Sequence, residues 1–96
     1  MFNSSVERRL ARVTSRLQAA RAEVTVLDEQ LAVLAGDADD ARVRALVSEA
    51  PLDGQEYRQA QRHADRMAAS RAALVATMAD LEATVDDLLA RLVPSR

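Results

Sequence analysis

The side chains best suited to chemistry in this sequence are one histidine and a short run of aspartates. His63 is the only histidine, and it belongs to no His-x-x-x-His or Glu-x-x-His pattern of the kind that a zinc site needs. The run Asp37-Ala-Asp-Asp40 offers carboxylates for a divalent cation, but it lacks the spacing and the distal glutamate of an EF-hand loop. We therefore expect a solvated histidine, aspartates that cap a helix, and no bound metal or cofactor.

Nucleophilic catalysis and phosphate binding have no motif in this chain. None of the serines stands in a nucleophile motif, and cysteine is absent. Gly36 and Gly54 stand apart, so there is no glycine-rich loop to cradle a phosphate. We expect a protein that is not an enzyme and that takes no small-molecule substrate.

Four arginines near the start of the chain are the strongest candidates for contacts with nucleic acid. They are Arg8, Arg9, Arg12 and Arg16. No aromatic residues are interleaved among them for base stacking, and the net charge of the chain is −2. A later group of acids offers partners inside the chain. These are Asp80, Glu82, Asp86 and Asp87. We therefore expect internal pairing and no nucleic acid partner.

The composition predicts that helices position these groups. Alanine, which has the highest helix propensity, is the commonest residue, whereas the aromatic residues are limited to Phe2 and Tyr57. No apolar run approaches the roughly 20 residues of a membrane span, and no basic region precedes an apolar stretch near the start. All 13 basic residues are arginine, which is typical of a GC-rich genome. We expect a bacterial, cytoplasmic protein that does not contact membranes.

Two heptad patterns predict a coiled coil. The first seam comprises Val6, Leu10, Val13, Leu17, Ala20, Val24, Leu27, Leu31 and Leu34. The second seam comprises Tyr57, Ala60, Ala64, Met67, Arg71, Leu74, Met78, Leu81, Val85, Leu88 and Leu92. Steps of three and four alternate along both seams, as they do at the a and d positions of a coiled coil. The fold class that follows is all-α, with two long helices.

Capping signals indicate where each long helix begins and ends. The two pairs with capping-box spacing are Ser4 with Glu7 and Asp53 with Glu56. Leu52 and Tyr57 stand at the positions of a hydrophobic staple around the second box. Pro51 disfavours helical geometry at the residue before it, and Pro94 is predicted to end the second long helix.

The segment between Gly36 and Pro51 is open to two interpretations. Glycine and aspartates are poor helix-interior residues, which favours a break near Gly36 and a short third helix near the tip. If the first helix continued instead, the first seam would run on through Ala38, Ala41, Ala45 and Ser48. We predict the break, and hence one domain over 1–96 with a long helix 5–35, a short helix 40–50 and a long helix 54–93.

Charge blocks predict that the two long helices are antiparallel. Residues 1–22 have a net charge of +4 and residues 23–40 a net charge of −6. In the second helix, residues 55–71 carry +2 and residues 72–93 carry −3. An antiparallel hairpin sets basic blocks beside acidic blocks, whereas a parallel pair would set like charges together. Each exposed pair contributes only about 0.3–0.5 kcal/mol, but every block favours the same orientation.

Two registers satisfy both seams. Pairing positions that add to 98 sets Leu17 opposite Leu81, and a shift to 105 is favoured if the first helix is unbroken. In the first register, Arg71 comes within reach of Asp28 or Glu23. Arg71, the only charged seam residue, is therefore predicted to specify register, although binding of an anionic partner would also use it.

Apolar residues outside the seams predict a partner. Val26 and Val33 lie off the first seam, and Val75 and Leu89 lie off the second. Such a wide apolar stripe is what further helices cover in a bundle. We predict a homodimer that forms a four-helix bundle, with Val75 and Leu89 in the contact. Another helical protein is the alternative partner, and a scaffold or adaptor is the predicted function.

A second functional hypothesis concerns the tip, residues 36–56. Acids gather there beside apolar residues, and the residues predicted to bind a partner are Asp39, Asp40, Leu46 and Leu52. Glu49-Ala50, Asp53, Glu56-Tyr57 and Ala60 are loosely similar to the hairpin tip of bacterial transcript-cleavage factors. The similarity covers about a dozen residues and lacks the family's denser acidic tip and C-terminal domain. It implies that the chain presents its tip to a larger machine such as RNA polymerase.

Overall fold

The protein, examined as a computed structural model, consists of two long helices over residues 4–92, the part of the chain that the structure describes. Helix α1 spans Ser4–Val47 and helix α2 spans Pro51–Leu92. No strand occurs within these residues. The all-α fold with two long helices is thereby confirmed, whereas Pro94 lies outside the described residues.

The helix α1 does not break at Gly36, so the predicted short helix 40–50 is wrong. Residues 36–47 are helical, and the first seam continues through Ala38 and Ala41, which are both buried. Gly36 has no positive φ, and no atom lies within 4 Å of the place where a Cβ would stand. The glycine therefore faces solvent inside a regular helix and does not cap one.

The connection between the helices is three residues long and is set by Pro51. The amide of Ser48 donates to the carbonyl of Arg44 at 3.0 Å, and the amide of Ala50 donates to Ser48 Oγ at 3.1 Å. The proline lacks an N–H and suits the first helical position, so α2 begins there. The predicted start at residue 54 is wrong, because Asp53 lies inside the first turn and its amide donates to Ala50 at 3.2 Å.

The helical residues pack in two compact units. Unit 1 consists of Met1–Val24 with Ala73–Arg96, and unit 2 consists of Thr25–Ala72. The core of unit 1 contains five buried residues. They are Val13, Leu17, Ala20, Leu81 and Leu88. Further seam residues pack against this core from both helices, namely Val6, Leu10, Leu74, Met78 and Val85.

Unit 2 is a helical hairpin with a much smaller core. Its buried residues are Ala38, Ala41 and Ala64. An alanine buries far less apolar surface than a leucine, which contributes roughly 1.5–3 kcal/mol when it is fully buried. The hairpin therefore receives less stabilisation from burial near its tip than unit 1 receives from its leucines.

Both seams account for almost every residue that is shielded from solvent. Within residues 4–92, each position that is not exposed belongs to one of the two heptad series, apart from Thr14, Gly54 and Thr84. The first series continues to Ser48, and the second extends back to Asp53. The predicted period is thus the period of burial along the whole of both helices.

The inter-helix contact of unit 2 agrees with the register in which positions add to 98. In unit 2, Arg71 pairs with Asp28, which the register of 105 would place about six residues, or roughly 9 Å, away along the helix. The connection over residues 48–50 has Glu49 at its middle. A hairpin that reverses direction at residue 49 sets opposite each other positions that add to 98. An unbroken α1 was expected to favour 105. The unbroken α1 nevertheless pairs in the register of 98, because Pro51 starts α2 immediately after the three-residue connection.

The continuous helix predicts that Gly36→Ala stabilises the protein. Alanine is favoured over glycine in an exposed helix interior by about 0.5–1 kcal/mol, and the added methyl group meets no atom within 4 Å. Chemical denaturation followed by circular dichroism measures the change. Gly54→Ala is the matched control with a smaller expected gain, since it lies in the first turn and its methyl group would touch Arg58 at 3.4 Å. Destabilisation by Gly36→Ala would contradict a continuous α1.

Candidate interaction surfaces

The most specific polar contact in unit 2 joins its two helices. Arg71 stands at a seam position but is only half-buried, and its guanidinium reaches the solvent-exposed edge of the hairpin. Its Nε donates to Asp28 Oδ1, and its Nη2 lies 3.5 Å from Asp28 Oδ2. Asp28 is one of the two carboxylates that the sequence placed within reach of this arginine.

The pairing with Asp28 further favours the charged form of Arg71. The hydrogen bond to the carboxylate, and then its negative charge, raise the pKa of Arg71 above the ordinary value for arginine. Because both side chains keep contact with water, the pair is a solvated ion pair at the rim of the seam. A charged residue at a seam position can therefore be tolerated while its stem packs between the helices.

The residues predicted at the tip are all exposed and belong to unit 2. Asp39 Oδ1 accepts a hydrogen bond at 3.1 Å from Nη2 of Arg42, which lies one helical turn away. Asp40 forms no ion pair among residues 4–92. Leu46 and Leu52 are exposed large apolar side chains on either side of the connection. The structure thus leaves the predicted tip residues available to solvent.

A groove beside the tip was not predicted from the sequence. It has a volume of about 450 Å³ and lies within unit 2. Its walls include Gly36, Ala38, Asp39, Arg42, Tyr57 and Gln61. The signal in the sequence is a volume mismatch, because small seam residues on α1 stand near the large ring of Tyr57.

His63 is exposed and borders two further grooves of unit 2. One, of about 370 Å³, is lined by apolar Val33, Leu34 and Met67 together with Gln30. The other, of about 300 Å³, includes Glu56 and Arg66. Within residues 4–92, no group of three or more histidine, aspartate or glutamate side chains is arranged to hold a metal ion.

The apolar residues outside the seams are solvent-exposed to different degrees. Val26 and Val33 of unit 2 are 50% and 64% exposed. Val75 and Leu89 of unit 1 are 38% and 46% exposed. The valines of α1 are therefore exposed over a larger fraction of their surface than the two predicted contact residues of α2.

The basic cluster of unit 1 does not form the predicted ion pairs. Arg8, Arg9, Arg12 and Arg16 are all exposed. None of them lies within 4.0 Å of a carboxylate among the described residues. The acids of α2 in the same unit are likewise not engaged with them. Internal charge complementarity in unit 1 therefore acts at longer range and leaves these four guanidinium groups available to other anions.

The fold and its surfaces define an all-α, hairpin-like protein built on heptad seams. Comparison of the chain with protein-family models, curated proteins and solved structures finds no match. Neither helix carries, within residues 4–92, an apolar stretch long enough to cross a bilayer.

The seam position of Arg71 predicts that Arg71→Leu raises the melting temperature by an amount on the order of 5 °C. Leucine would bury apolar surface in the seam, and Asp28 would remain solvated without its partner. Thermal denaturation followed by circular dichroism measures the effect. Arg66→Leu, on the exposed side of the same helix, is the control and should change the melting temperature less.

The same substitution should weaken the choice of register. Disulfide formation between cysteines placed at 31 and 67 reports the register of 98, and between cysteines at 38 and 67 the register of 105. We expect the second disulfide to appear only in the Arg71→Leu background. Unfolding of Arg71→Leu would instead mean that Arg71 belongs to an essential network.

Proposed function

We propose that this chain is a non-enzymatic protein–protein interaction module that associates with a second copy of itself. The observation that carries the proposal is the uncovered apolar surface outside the seams, at Val26, Val33, Val75 and Leu89. Apolar side chains that recur along a helix outside its own packing seam are typical of surfaces that another helix covers. A second copy of the chain packed along α1 would cover Val26 and Val33, the more exposed of the four, in an assembly of four helices.

The composition supports a bacterial cytoplasmic setting. All 13 basic residues are arginine, which is typical of a GC-rich genome, and the chain has no cysteine that a disulfide would need.

Self-association predicts a species of twice the chain mass at micromolar concentration. Sedimentation equilibrium should return about 21 kDa rather than 10.5 kDa. A variant with Val26→Ser and Val33→Ser should shift the equilibrium toward the monomer. A wild-type chain that sediments as a monomer across the micromolar range would contradict the proposal.

A second candidate function is favoured by the exposed tip of unit 2. Leu46, Val47 and Leu52 are exposed around the connection, beside acids such as Asp40. Exposed apolar residues framed by charges can dock into a larger protein. In this hypothesis the chain is a regulator that presents its acidic tip to a machine such as RNA polymerase.

The two functions differ in which residues carry binding. If the tip hypothesis holds, purified bacterial RNA polymerase should bind the chain, and Leu46→Ser with Asp40→Asn should weaken binding at least tenfold, or about 1.4 kcal/mol. The matched variant, Val75→Ser with Leu89→Ser, should retain binding, and circular dichroism should confirm that both variants stay helical. Binding unaffected by the tip variant, or no binding by the wild type, would eliminate the regulator.

A further inference from the structure

We propose that two copies of the chain meet along the outer face of α1 in antiparallel orientation. In this contact, the basic segment of one copy faces the acidic segment of the other, and each copy supplies both halves. The inference rests on the proposed self-association and identifies its surface, its occupant and its direction.

A second stripe with heptad spacing runs along α1 on the side away from the first seam. We call this the outer stripe, and its central members are Ala19, Ala22, Val26, Glu29, Val33 and Gly36. All six are exposed, and their steps alternate between three and four as those of the seam do. Small residues around the two valines would let a second helix approach closely, and Gly36 leaves open space where a larger side chain can fit.

The charges beside the outer stripe are segregated and unengaged. The arginines 8, 9, 12 and 16 lie on or next to the stripe near its start, and none forms an ion pair among residues 4–92. Glu29, Asp37 and Asp40 lie on or next to the stripe further along, and they too form no ion pair within these residues. One face of one helix thus carries free charge of both signs in separate segments.

Antiparallel pairing of this face with its own copy matches the charges. When the two α1 helices pair so that opposite positions add to 48, Arg8 of one copy stands opposite Asp40 of the other. Arg9, which flanks the outer stripe, then comes near Asp37 of the other copy. Arg12 stands opposite Gly36, which has the space for it. Glu23, near the twofold axis, meets its own copy as a like charge. In a parallel pair, each arginine would face the same arginine of the other copy and each acid would face the same acid, so the isologous antiparallel contact is favoured.

The outer face of α2 is the main rival surface, because its bases also precede its acids. The outer positions of α2 follow each seam residue by two, as those of α1 do. Between residues 66 and 90, however, the only apolar residues at these positions are alanines. Val26 and Val33, which are 50% and 64% exposed, give the outer face of α1 larger apolar side chains than these alanines. Arg62, exposed on α2, therefore serves as a matched control for any charge reversal on α1.

Charge reversal tests the surface. Arg9→Glu should raise the dimer dissociation constant about tenfold, because an attractive pair becomes repulsive twice in a symmetric contact. Adding Asp37→Arg should restore the wild-type constant, whereas Arg62→Glu should leave it unchanged. A dimer that is weakened by Arg62→Glu and indifferent to Arg9→Glu would overturn the inference and place the contact on α2.

Disulfide trapping tests the direction, and the absence of native cysteine makes it unambiguous. Ser15 and Val33 are opposite in the proposed register, so mixing Ser15→Cys chains with Val33→Cys chains should give a cross-linked dimer, and neither variant alone should cross-link. Mixing Val33→Cys with Ala76→Cys, on α2, controls for random collision.

Cross-linking of either single variant with itself would indicate a parallel contact and overturn the inference. A wild-type dimer without the mixed cross-link overturns the inference but leaves the proposed function standing, and a monomeric wild type overturns both.

Discussion

Burial of one narrow apolar stripe on each helix is the interaction on which the rest of this structure depends. The chain has almost no aromatic residues, and within residues 4–92 the seams supply nearly every side chain that is shielded from solvent. A stripe of this width stabilises a pair of helices but leaves most of each helix in water. The uncovered outer faces of both helices follow from that constraint, whereas the short connection before Pro51 sets the register.

The sequence predicted the seams well because spacing alone determines them. Leu17, Leu81 and Leu88 were placed in the core by alternating steps of three and four, and all three are buried. The error at Gly36 arose from weighing local propensity above spacing. A helix-interior glycine costs about 1 kcal/mol, whereas the seam continues through Ala38 and Ala41 and keeps the two helices in contact to the tip.

The candidate surfaces were predictable only in part. The partner of Arg71 was predicted in part, because the register of 98, one of two left open, brings both Asp28 and Glu23 within reach, and the structure pairs Arg71 with Asp28. The groove beside Tyr57 was missed, because the small seam residues near that ring indicate a mismatch of volumes, whereas the size of the groove depends on side chains from both helices together. Whether the N-terminal arginines find carboxylates inside the chain also depends on side-chain reach, which the sign of a charge block does not report.

Two adjacent leucines allow the most direct test of the seam as the source of stability. Leu88 is 1% exposed in the core of unit 1, and Leu89 is 46% exposed on the same helix. The free energy of unfolding, measured by chemical denaturation at one protein concentration, should fall by about 2–4 kcal/mol for Leu88→Ala and by less than about 1 kcal/mol for Leu89→Ala. Equal losses for the two substitutions would contradict a fold held by a single buried stripe on each helix.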